Sequence, residues 1–108
     1  MSNIKPRVRV PKEAAAGEVI VIKTLLSHPM ESGQRRDAGG QVIPRKIVNR
    51  FTCTFEGETV LDVTLEPSIS ANPFLEFQAR VDRAGTFVFE WHDDDGSVYK
   101  AEEPIAVA

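Results

Sequence analysis

Cysteine occurs once in the 108 residues, at Cys53. A single cysteine excludes an internal disulfide but does not decide the redox compartment. No apolar run approaches the roughly eighteen residues of a membrane span. A basic excess is also missing. The net charge of −3 gives no general attraction to nucleic acid or to an anionic membrane. There is no Gly-x-Ser-x-Gly elbow, phosphate-cradling loop or dinucleotide fingerprint. The two histidines, His28 and His92, stand at no metal-ligand spacing from each other or from Cys53. Neither an active site of its own, a cofactor nor a metal is therefore expected. The first ten residues lack the apolar core and cleavage site of a signal peptide, so on this feature alone the chain would stay in the cytoplasm.

What is present is β-pattern. Apolar residues make up 42% and charged residues 27%, enough for one core in a single domain over residues 1–108, with 1–6 flexible. Arg7-Val8-Arg9-Val10 alternates and stops at Pro11, as an edge strand does. Glu13 to Gly17 reads as a loop or one loose turn. Glu18 to Leu26 is apolar on both parities. Arg45 to Phe55 alternates with Ile47, Phe51, Cys53 and Phe55 inward. Thr59 to Glu66 follows the Glu56-Gly57-Glu58 turn, with Leu61, Val63 and Leu65 inward. After a connector over 68–73, Phe74 to Val81 turns Leu75, Phe77, Ala79 and Val81 inward. Phe87, Phe89 and Trp91 form the next inward set. Asp93-Asp94-Asp95-Gly96 reads as an Asp-Gly hairpin turn, and Ser97 to Val107 is the last strand, with Pro104 marking a bulge or an edge. About seven antiparallel strands without a helix predict an all-β immunoglobulin- or fibronectin-like sandwich, with a small barrel as the alternative.

One stretch breaks this economy. Between Leu26 and about Arg45 runs a polar connection of roughly twenty residues, longer than compact domains usually carry without a function. It opens on Ser27-His28-Pro29-Met30-Glu31-Ser32-Gly33, and Asp37-Ala38-Gly39-Gly40 reads as the tip of a β-excursion. The strand before it, Val19 to Leu26, has one apolar face for the second sheet and another that needs a cover. That cover is either the loop itself, through Met30, Val42 and Ile43, or another protein chain.

Candidate chemistry is thin. Cys53 sits on the parity of Phe51 and Phe55 and reads as a buried small hydrophobe, although a nucleophilic role is the enzyme alternative. The aspartate run lacks a calcium loop's spacing, since Trp91 occupies the first ligand position of that register. Arg35, Arg36, Arg45, Lys46 and Arg50 gather around the loop, either as solvated surface or as local attraction for an acidic partner.

The sequence from Val21 through His28-Pro29-Met30-Glu31-Ser32-Gly33, then Arg36-Asp37 and Val42-Ile43-Pro44, resembles the SoxZ family of the thiosulfate-oxidising Sox system. Asn72-Pro73-Phe74-Leu75-Glu76-Phe77, Trp91 and Asp95-Gly96 fit the same pattern, so the resemblance extends over nearly the whole chain from Arg7. It implies a heterodimer with a SoxY-like subunit whose C-terminal Gly-Gly-Cys-Gly-Gly arm carries sulfur intermediates, and transient meetings with other Sox enzymes. This chain ends Glu102-Glu103-Pro104-Ile105-Ala106-Val107-Ala108, without such an arm. Its implied role is to stabilise and present the arm-bearing subunit without holding substrate covalently. The resemblance also implies a periplasmic location, reached by co-export with the signal-bearing partner. His28, Pro29, Met30, Glu31, Asn72 and Phe74 are the residues expected near the partner or its arm. The alternative is a stand-alone sandwich that binds or assembles proteins without sulfur chemistry.

Overall fold

The computed structural model describes residues 4–65 and 72–108. The strands are β1 (Pro6–Arg9), β2 (Glu13–Ala14), β3 (Glu18–Leu26), β4 (Val48–Phe55), β5 (Glu58–Thr64), β6 (Phe74–Val81), β7 (Gly85–Asp93) and β8 (Val98–Val107). They form a three-stranded sheet, β1-β3-β6, and a five-stranded sheet, β2-β8-β7-β4-β5. The all-β sandwich expected from the alternation is thus the observed architecture. The strand beyond the expected seven is β2, which pairs parallel to Ala106 and Val107 of β8 where the sequence reads as a loop. Its Glu13-Ala14 pair is too short to carry a period. The end of the fourth expected strand at Glu66, the connector residues 68–71 and the start of the N-terminal tail lie outside the described residues.

Inward residues of the two sheets make one core. Phe51 lies opposite Trp91, Cys53 opposite Phe89 and Phe55 opposite Phe87 across the β4–β7 ladder. Phe51 and Trp91 pack with ring centroids 5.1 Å apart, and Phe55 and Phe87 at 4.5 Å. Side chains of this size, wholly buried, dominate the burial energy; truncating one to alanine costs about 3–5 kcal/mol. From the other sheet, Ile20, Ile22 and Leu26 are buried against them. Thr24 shares their face and donates its hydroxyl to Leu75 O at 3.2 Å, so its polar group is satisfied.

β4 departs from simple alternation. The β4–β7 register shifts between Val48 and Arg50, which makes Asn49 the extra residue of a bulge. Both Ile47 and Val48 are therefore buried, whereas alternation alone sends Val48 outward. The β7–β8 turn also differs from expectation. Gly96 alone there has positive φ, at 88°, with Gly96 N–H bonded to Asp93 O and Asp93 N–H to Ser97 O. That is a three-residue loop closing on a glycine bulge rather than a two-residue primed turn. The primed turn occurs instead at Glu56 and Gly57, whose φ values are 49° and 86°.

The two outer faces differ in character. On the five-stranded sheet, Arg50, Thr52, Asp62, Glu90, Lys100 and Glu102 alternate outward, as a solvated antiparallel sheet should. On the three-stranded sheet, Val19 is 55% exposed, Val21 42% and Phe74 57%. Met30 is buried in the core and Val42 is itself exposed. The long loop therefore does not fold back over β3, and no described residue covers this face.

Candidate functional site: a latched loop beside an open sheet face

The long loop leaves β3 through Ser27, whose N–H donates to Lys5 O at 3.1 Å. The His28 ring then turns inward and is buried. Pro29 stays outside, and Met30 takes φ 52°, a left-handed conformation that is uncommon for a side chain of this kind. The turn brings Met30 N–H back onto His28 Nδ1 at 2.9 Å. An accepting Nδ1 places the ring proton on Nε2. That nitrogen lies 2.7 Å from Asp93 Oδ2, to which it donates.

Asp93 follows Phe87, Phe89 and Trp91 on the inward face of β7, and its side chain is fully buried. Oδ2 also accepts from Tyr99 O–H at 2.6 Å and from Lys46 Nζ at 2.9 Å. Oδ1 accepts the Asp95 N–H at 3.3 Å. Burial opposes the charge, but the bonds from Tyr99, Lys46 and His28 outweigh it and hold the carboxyl well below the usual range. In return, the Asp93 hydrogen bond raises Lys46. Tyr99 is raised first by burial and then by Asp93. A buried carboxylate with three side-chain donors and one backbone donor is a fixed structural charge; removing a partner from such a group costs about 3–5 kcal/mol.

The cluster ties three segments together: the start of the loop at His28, its return at Lys46, and the β7–β8 hairpin. Between them the loop is a narrow ribbon. Glu31 and Lys46 exchange backbone hydrogen bonds of 2.9 and 2.8 Å, and Arg36 bridges to Val42 further out. Asp37 N–H bonds to Gln41 O at the tip, so the expected β-excursion is present. Arg35 pairs with the Glu31 carboxylate and lowers its pKa. Beside the ribbon base, Arg45 grips Asp94 through two bonds of 2.9 and 3.2 Å, while Ile47 N–H and Asn49 Nδ2 bond to the same carboxylate. Met30 Sδ accepts the Val48 N–H at 3.3 Å, which plugs the bulge in β4.

Of the six expected site residues, three are brought together and three stand apart. His28, Met30 and Asn72 meet at the junction of the loop with the chain entering β6. His28 N–H donates to Asn72 Oδ1 at 3.0 Å and Asn72 N–H to His28 O at 2.7 Å. Asn72, at φ 54°, is the second left-handed residue of this junction. His28 and Met30 are buried, so they act on the surface through the loop backbone. Pro29 is exposed, and Glu31 is partly exposed at the ribbon base. Phe74 stands directly across from Leu25 on the open face. Asp93, Lys46 and Tyr99 were not among the expected residues. The available signal was an aspartate continuing the inward parity of three aromatic residues; assigning Asp93 to the turn hides it.

Among the described residues, the arrangement exposes no cysteine. Burial pushes the Cys53 thiol up to about 12, which suppresses the reactive thiolate. Both His28 nitrogens are engaged by protein groups. Among the described residues, no three His, Cys, Asp or Glu side chains are placed to hold a metal ion.

A family model for the sulphur oxidation protein SoxZ matches residues 8–104. The chain belongs to the SoxZ family. This makes it a protein of the sulphur-oxidising Sox system. No curated protein sequence matches it. Among solved structures, the T24K superoxide reductase (neelaredoxin) of Ignicoccus hospitalis is similar, with a TM-score of 0.73 and 17% identity over 96% of this chain and 80% of that one. The sulfur carrier protein SoxY of Chlorobium limicola f thiosulfatophilum is similar at a TM-score of 0.68 and 14% identity, over 95% and 78% of the two chains. At these identities the likenesses concern the sandwich that SoxZ shares with them.

Proposed function

We propose that this SoxZ-family chain is the non-catalytic half of a heterodimeric sulfur carrier and pairs with SoxY through the outer face of β1, β3 and β6. The observation that carries the reading is the uncovered apolar stripe of Val19, Val21 and Phe74, with half-buried Leu25 beside Phe74, on a domain whose other outer face exposes a single large apolar side chain, Val98, among the described residues. Large obligate interfaces are apolar in this way. The latched loop gives the pair a rigid shoulder beside that face, and Pro29 and Glu31 are its residues available for contact with the partner or its cysteine arm. His28, Met30 and Asn72 hold the shoulder in shape. Cys53 carries no sulfur in this reading, because it lies in the core. The periplasm is the compartment of the reading, on family resemblance alone.

Co-expression with a SoxY-type subunit tests it. Wild-type chain co-purifies in a one-to-one complex. Val21→Lys, a change on an exposed strand position, keeps the β-sheet spectrum and loses the complex. A Val21→Lys chain that still pairs as tightly as wild type rules this face out.

A further inference from the structure

The outer positions of the three-stranded sheet are not uniform. Across one row Arg7, Leu25 and Phe74 stand side by side, and across the next Arg9, Lys23 and Glu76. Val21 and Val19 continue the stripe beside Gln78 and Arg80. This face of a chain with net charge −3 therefore carries Arg7, Arg9, Lys23 and Arg80 against the carboxylates of Glu76 and Asp82, the latter paired with Arg80 at 3.5 Å. Lys23 reaches Glu76 only at 3.9 Å. Arg7 and Arg9 make no ion pair with any described residue. Arg7, Arg9, Lys23, Leu25 and Phe74 line an open groove of about 260 Å³.

Resting on the pairing proposed above, we infer that this groove receives a carboxylate-bearing segment of the partner subunit, which sets the orientation of the pair. The charge pattern selects this occupant. A second copy of the chain would bring one cationic face against another, and like charges across an interface cost energy. A free inorganic anion would engage the guanidinium groups and leave Phe74 and Leu25 in water. An acidic polypeptide segment with apolar side chains matches both halves of the groove. Unpaired rim cations act mainly on the encounter rate, through long-range attraction that salt screens.

The test is the association rate between the whole chain and a SoxY-type subunit, at low and high sodium chloride. The wild-type rate constant falls roughly tenfold at high salt. The double variant Arg7→Glu, Arg9→Glu associates about tenfold more slowly at low salt, with a much smaller change in dissociation. Should that variant fold poorly by its β-sheet spectrum, Arg7→Gln, Arg9→Gln gives the same direction with about half the logarithmic effect. A complex that forms at a rate insensitive to salt and to these changes overturns the inference while leaving the pairing intact. Slowing by sulfate beyond sodium chloride of equal ionic strength also overturns it, because the groove is then a free-anion site. Self-association through this face, or no complex at all, overturns both readings.

Discussion

Asp93 ends a row of inward aromatic side chains, and its charge is affordable only because His28, Lys46 and Tyr99 all donate to it. Asp93→Asn is expected to lower stability by about 3 kcal/mol, read from urea unfolding at neutral pH. The sign with pH follows from the depressed carboxyl. Its contribution is complete above the unfolded value of about 3.9 and drains away as pH falls toward the lower folded value. Wild type should therefore lose stability steeply below about pH 4, and the Asp93→Asn variant should show a flatter acid limb. His28→Ala leaves the Met30 N–H without its acceptor and removes one Asp93 donor; a loss of about 3–5 kcal/mol is expected in the same assay. Cys53 gives the opposite kind of prediction. With its thiol at about 12 and inside the core, iodoacetamide should leave it unmodified at pH about 8 in the native protein and label it fully on unfolding. Rapid native labelling would contradict the core position. Residue by residue, the sequence made the aromatic core and buried Cys53 legible through parity. It hid the Asp93 cluster, because a carboxylate in a turn-rich run reads as turn chemistry and two of its side-chain donors, His28 and Lys46, come from distant segments.

The ribbon and strand β3 are the elements on which the proposed function rests. Ribbon length was readable from the absence of apolar period between Leu26 and Arg45. Its latch was not, since a hydrogen bond from residue 28 to residue 93 leaves no local pattern. The bulge at Asn49 was equally unreadable, because nothing in Ile47-Val48-Asn49-Arg50 signals an extra residue until Met30 is seen filling it. The base of the ribbon is tight. Gly33 has φ 87°, and an added Cβ would lie 3.0 Å from Arg45 Cβ and 3.4 Å from its backbone. Gly33→Ala is expected to cost about 1–2 kcal/mol from the backbone conformation alone. By contrast, the tip from Arg36 to Val42 is exposed throughout. Replacing it by a shorter turn should change the free energy of unfolding by less than about 1 kcal/mol. A large loss there would mean that the ribbon is held by its tip rather than by its base. For β3, doubled apolar parity announced a second covered face, and the structure removes the loop as that cover.

At the scale of the whole molecule, the chain measures 58 × 24 × 19 Å, with a radius of gyration of 16.1 Å. A compact domain of this length has about 13 Å, so the sandwich is elongated and one apolar face lies along it. On the five-stranded side charged and hydroxyl side chains predominate, with Val98 the one large apolar side chain exposed among them, so the apolar stripe belongs to the three-stranded side and is not a property of the composition. The proposed pairing joins the family membership to the open face. The most direct measurement is site-specific photo-crosslinking in the complex with a SoxY-type subunit. One crosslinkable residue replaces Val21 on the three-stranded sheet, and another replaces Lys100 on the outer face of the five-stranded sheet. Efficient coupling to the partner from position 21 and none from position 100 is the expected result. Coupling from position 100 with none from position 21 would contradict the account.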